Sequence, residues 1–147
     1  MANLRQAVAL DPAWGQPHNS LAIVLRLNNR LQEAEEEALT ALRLEPENIA
    51  NHNNYANLLI ACKRYEEAED HYRVAIELNP AHPKPYFNLA CLCSILGRTD
   101  EAIALLQDAL KRAPILRQDA IVDPDFEPIR NNPAFRRLVF GAASEDA

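Results

Sequence analysis

The sequence predicts an all-α solenoid built from repeated helix-turn-helix units, and three observations carry that expectation. Pro12, Pro46, Pro80 and Pro114 follow one another at intervals of 34 residues. Further series keep the same interval: Arg30, Arg64 and Arg98; Glu33, Glu67 and Glu101; Ala34, Ala68 and Ala102; Ala41, Ala75 and Ala109, with Ala7 upstream. Repetition at a fixed period of this length is the signature of stacked helical units. Glycine is scarce, at Gly15, Gly97 and Gly141 only. That argues against a β-rich fold and against phosphate-cradling loops, which need several glycines close together.

In chain order, residues 1–14 read as the end of a truncated upstream repeat, its second helix only, with Leu4, Ala7 and Leu10 as the buried stripe. Terminal repeats need a polar outer face, so an opening half-repeat reads as cut from a longer protein. A second reading of the half-repeat is a homodimer contact with another copy. Three full units follow, at 15–48, 49–82 and 83–116. Each holds a helix A (15–28, 49–62, 83–96) and a helix B (31–44, 65–78, 99–112), joined at Asn29-Arg30, Lys63-Arg64 and Gly97-Arg98. In the middle helix B, Ala68, Tyr72, Ala75 and Ile76 form a stripe at helical spacing. The recurring alanines let antiparallel helices approach closely, where a long side chain would wedge them apart. Each proline lacks the N–H needed to carry helix B onward. After Pro114 the period is lost. Residues 117–141 read as a capping segment, with Asp125 capping a short helix that carries Phe126 and Ile129, and Pro133 opening another that carries Phe135, Leu138 and Val139. Residues 142–147 are expected to be disordered.

These residues resemble the tetratricopeptide repeat (TPR) over about residues 3–114. In the second unit Tyr55-Ala56, Leu59, Ala68, Tyr72, Ala75 and Pro80 occupy the family's signature slots. The third unit matches with Tyr86, Leu89-Ala90, Ala102, Leu106, Ala109 and Pro114, but has Cys93 where a large residue is usual. The first unit is looser, with His18 in the Trp slot and Ala38 in the aromatic slot. The resemblance implies a right-handed α-solenoid whose A helices line a concave groove.

Charge follows that division. The A segments contain no Asp or Glu but hold Arg26 and Lys84, whereas the B segments are acidic, the Glu35–Glu37 run being a solvated face. A groove without acids suits an acidic peptide or one read through its backbone. The net charge of −6 speaks against nucleic-acid binding, and no apolar run is long enough to insert into a membrane. Cys62, Cys91 and Cys93 lack metal-type spacing and suggest reduced thiols in the cytoplasm. Cys91 and Cys93, two apart on a helix, point about 200° apart and do not share a metal. His18 and His52 share a repeat slot, where they could stack on each other but read as packing at a helix face, while His71 and His82 look like surface or loop positions. Ser20 and Ser94 lack His–Asp partners. No enzymatic activity, cofactor or metal is expected.

The A helices are rich in Asn. Asn54 and Asn88, 34 apart, should stand one above the other, where an amide can pair with the peptide units of an extended chain. The stretch 53–59 is similar to the TPR domain of the O-linked N-acetylglucosamine transferase, in which the same slot forms an Asn ladder. The expected peptide contacts are Arg26, Asn53, Asn54, Asn57, Lys84, Phe87 and Asn88. The chain thus reads as a scaffold for a protein or peptide ligand. Its alternatives are an accessory substrate-recognition domain of a larger enzyme, such as a glycosyltransferase, and a self-assembling module.

Overall fold

The computed structural model describes residues 1–141, and no strand occurs among them. The helices are α1 (Ala2–Leu10), α2 (Gly15–Leu27), α3 (Leu31–Leu44), α4 (Ile49–Ala61), α5 (Tyr65–Leu78), α6 (Pro83–Ile95), α7 (Thr99–Arg112), α8 (Leu116–Val122) and α9 (Pro133–Phe140), with a 3₁₀ helix at Pro124–Ile129. They fall into two compact units, Met1–Asn79 with α1 to α5, and a second that begins at Pro80. The all-α fold of helix-turn-helix pairs is the class the period predicts.

The turn inside each pair follows from helix-end chemistry. Asn29, Lys63 and Gly97 take positive φ, at 60°, 61° and 78°. The next N–H reaches back to the helix: Arg30 to Leu25 O, Arg64 to Leu59 O and Arg98 to Cys93 O, each at 2.8 Å. The left-handed residue itself donates to Arg26 O, Ile60 O or Ser94 O. This double closure is the Schellman motif, which satisfies carbonyls the helix leaves unpaired. It ends each A helix one residue earlier than the sequence suggested.

The prolines act on the residue before them. A following proline disfavours the α region, and Asp11, Glu45, Asn79 and Ala113 all leave the helix with φ between −148° and −135° and ψ between 74° and 91°. Three residues after its proline, each helix A starts from an extended cap at Trp14, Asn48 or His82. Asn48 and His82 accept from the N–H of Ala50 and Lys84, as side-chain caps do.

Within each unit the alanine series is fully enclosed: Ala34, Ala41, Ala68 and Ala75 in the first, Ala102 and Ala109 in the second, all at 0% exposure. Tyr72, Leu21, Leu25, Leu58 and Leu59 fill the first core around them. α1 is the exception. Leu4 and Ala7 are half-buried against α2, but Leu10 is 79% exposed, so the expected stripe is only partly covered.

The tail differs from expectation in two respects. An additional helix, α8, follows Pro114 almost at once, because Ile115 is helical (φ −62°, ψ −25°) where the equivalent cap residues of earlier repeats are extended. The short helix that carries Phe126 and Ile129 is 3₁₀ and is capped by Asp123, not Asp125: the Asp123 carboxylate accepts from the Asp125 N–H. Pro133 opens α9 as expected, with Asn132 accepting from Ala134 and Phe135 N–H groups. Phe126 anchors the segment, its ring centroid lying 5.6 Å from both Phe87 and Phe135. Arg130 ties it further by donating to the carbonyls of Ile121 and Asp123. The expectation for residues 142–147 lies outside the described residues.

Candidate functional site

In the first unit, Arg26 and Asn54 come together around a shallow depression completed by Ile23 and Leu58. Asn54 donates to Asn19 Oδ1 at 3.3 Å, so part of its amide is engaged within the protein. Asn57 accepts from the Tyr72 hydroxyl and thereby braces α4 on α5. Asn53 is half-buried on α4.

The aromatic slot shared by successive repeats has a structural task that the sequence reading missed. His18 Nε2 lies 2.9 Å from Pro12 O, His52 Nε2 lies 2.6 Å from Pro46 O, and the Tyr86 hydroxyl donates to Pro80 O at 2.8 Å. Since a carbonyl only accepts, each histidine carries a proton on Nε2. Both rings pack at a helix face, and each meets a side chain of the helix B that follows. His18 Nδ1 meets Glu37 at 2.5 Å, and His52 stacks on His71 with centroids 5.3 Å apart and their Nδ1 atoms at 3.1 Å. His71 is thus not a loop or surface residue. Burial, and secondarily the nearby His52, holds its pKa below the usual histidine value. The Glu35–Glu37 run is likewise not a uniformly solvated face. Glu35 accepts from the Tyr55 hydroxyl and from Arg64, and Glu37 reaches His18, leaving only Glu36 exposed. Burial and the bond to Glu35 push the Tyr55 phenol up to about 12.

In the second unit, Lys84, Phe87 and Asn88 from α6 line an open cavity of about 420 Å³ together with Asp119, Val122, Asp123 and Pro124. Lys84 is exposed and Asn88 half-buried. Phe87 is 5% exposed and packs edge-on against Phe126, so it supplies an apolar floor. The expectation of a groove without acids is corrected here, because α8 and the residue that follows it deliver two carboxylates to the α6 face. Beside the cavity, the Cys91 thiol points at Asp123, with Sγ 3.8 Å from Oδ2. Burial, then Asp123 and Asp125, pushes the thiol pKa up, and burial followed by Asp123 raises that of Asp125. The acid spacing Asp119, Asp123, Asp125 was visible in the sequence. What hid its meaning was the unpredicted helix that turns it toward α6.

Residues 47–114 match the family model described as tetratricopeptide repeat. A solved structure described as the functional characterization of Pseudomonas aeruginosa PilF is similar at 25% identity and a TM-score of 0.78, over 94% of this chain and 65% of that one. The chain therefore spans less than two thirds of that structure. The crystal structure of MamA is similar at 14% identity and a TM-score of 0.74, over 97% of this chain and 84% of that one. A second MamA structure, MSR-1 C2, matches at 19% identity and a TM-score of 0.63, over 76% and 64% respectively. No curated protein matches the chain. At such identities the MamA structures speak for the fold alone. No helix among the described residues is long and apolar enough to cross a membrane.

Proposed function

We propose that this chain, a tetratricopeptide-repeat protein and hence of a class that generally serves as protein-interaction scaffolds, binds an extended segment of a partner protein on the faces of its A helices. The observation that carries the reading is the cavity of the second unit, where Lys84, Asn88 and Asp119 converge over the apolar surfaces of Phe87, Val122 and Pro124. The Asn88 amide can both donate to and accept from a peptide unit. Two carboxylates against one ammonium favour a peptide side chain with an apolar stem and a basic head, as in lysine or arginine. In the first unit Arg26 and Asn54 offer a second, smaller contact that has no carboxylate. No disulfide joins Cys62, Cys91 or Cys93, which suits a cytoplasm-like, reducing compartment.

The test is a positional-scanning peptide array probed with the purified chain, followed by anisotropy titration of the best sequence. Expected is enrichment of a basic residue at one position, with affinity falling about tenfold, or about 1.4 kcal/mol, in Asp119→Asn and in Asn88→Ala. Equal affinity of both variants and wild type, at unchanged helicity, would refute the site.

A further inference from the structure

We propose that Cys91, Asp123 and Asp125 form a divalent-cation site suited to zinc, beside the peptide cavity that Asp123 also lines, so that a bound metal would leave Asp119 as the free carboxylate there. One ligand atom from each of the three residues lies within 4.8 Å of the others. They come from two elements: Cys91 from α6, the carboxylates from the start of the 3₁₀ helix. Cys91 is 5% exposed, and its thiol is aimed at Asp123 Oδ2. Asp123 divides its carboxylate: Oδ1 accepts from the Asp125 N–H at 2.9 Å, and Oδ2 faces the sulfur. Neither carboxylate has an ion-pair partner among the described residues. The adjacent guanidinium of Arg130 is taken by the carbonyls of Ile121 and Asp123 and by Glu127. Two half-buried carboxylates and a buried thiol thus bring three metal-ligating atoms together, and the repulsion between the two carboxylates is relieved when a cation joins them.

The donor set points to the metal. Thiolate with carboxylate oxygen suits borderline-soft zinc and not magnesium or calcium, which take oxygen alone. Tetrahedral zinc at about 2.3 Å from sulfur and about 2.0 Å from oxygen sets those donors about 3.5 Å apart, close to the observed 3.8 Å. Binding displaces the thiol proton to solvent as the sulfur–zinc bond forms. Three protein ligands leave a fourth position for water, and Asp123 also lines the open cavity, which provides the entry path. Phe126, clamped on Phe87, fixes the carboxylates relative to α6. The helix spacing of Cys91 and Cys93 does exclude a site shared by those two; the ligands arrive instead from the tail.

Cobalt(II) titration of the reduced chain is the test, since cobalt replaces zinc and reports sulfur ligation by colour. Expected is one equivalent of binding with thiolate-to-cobalt charge-transfer absorption and intense tetrahedral visible bands, abolished by added zinc. Cys62→Ser should keep the signal, Cys91→Ala should lose the charge-transfer band, and Asp125→Asn should weaken binding at least tenfold. Absence of the charge-transfer band in wild type, or its survival in Cys91→Ala, overturns the site. Should Cys91→Ala lose its helicity, the isosteric Asp125→Asn decides: unchanged affinity in that variant also overturns it.

Discussion

Phe126→Ala should release the C-terminal segment while leaving the repeats folded. The Phe126 ring is fully buried, with Phe87 beneath it and Phe135 beside it at 5.6 Å. Emptying such a site costs about 3–5 kcal/mol, from lost transfer energy and the cavity left behind. In a repeat protein that loss stays largely local, because each element contacts only its neighbours. Against a segment of three short helices, it is comparable to the whole free energy that closes it. At 1.4 kcal/mol per factor of ten, amide exchange over residues 116–140 should accelerate by about a hundredfold to a few thousandfold. Hydrogen–deuterium exchange by mass spectrometry reads this directly, with peptides from α2 to α5 as the internal reference. Phe126→Leu, which keeps most of the apolar volume, should move exchange far less. If the tail of Phe126→Ala exchanges within about threefold of wild type, the 3₁₀ helix is held by something other than this ring, and the argument fails. Acceleration spread evenly over both units would refute the local character of the loss.

Lys63→Gly and Gly97→Ala should act in opposite directions. A side chain in the left-handed region costs about 1–2 kcal/mol, partly offset by the entropy glycine loses on folding, so Lys63→Gly should raise Tm by about 2–4 °C. An added Cβ at Gly97 meets nothing within 4 Å, so Gly97→Ala should lower Tm by a similar amount through backbone strain alone; circular dichroism melts measure both. His71 should make stability depend on pH. Because burial and His52 lower its folded pKa, the unfolded chain binds the extra proton, and stability falls as pH drops through the ordinary histidine range near about 6.5. Urea midpoints at pH 7.5 and 5.5 should differ more in wild type than in His71→Gln, and equal differences would count against the assignment. Tyr86→Phe should cost only about 0.5–1 kcal/mol in a urea titration, since Arg112 also donates to the Pro80 carbonyl, at 2.7 Å.

Much of the fold was legible because its signals are local. A proline fixes the conformation of the residue before it, and a small residue every 34 positions marks the helix contact, so the limits of α3, α5 and α7 follow from counting along the sequence. The candidate site was legible only in part. Lys84 and Asn88 could be placed on helix A by register, but their neighbours Asp119 and Asp123 come from a segment with no repeat to count from. His52 with His71 and Glu35 with Tyr55 were missed for a related reason. Each pair joins a helix A to a helix B through side-chain length and rotamer, which spacing does not encode.

The place where the period fails is also where the chemistry gathers, and the two facts have one cause. Inside a repeat, position after position is committed: alanine at the helix contact, arginine at the turn, an imidazole or phenol on the proline carbonyl. After Pro114 the cap residue Ile115 is helical where Trp14, Asn48 and His82 are extended, so α8 starts a residue early and out of register with a fourth helix A. It stops at Val122 because Asp123 precedes Pro124 and turns extended, with ψ 121°. That turn is what presents one Asp123 oxygen to the backbone and the other to Cys91. A continuing repeat would have covered the α6 face with another alanine-lined helix. The interrupted one leaves Lys84 exposed and sets carboxylates beside it. Restoring the register, by replacing Pro114-Ile115 with the Pro80-Ala81-His82 connection, should therefore abolish the cobalt signal and the basic-peptide preference together, even if the tail remains helical.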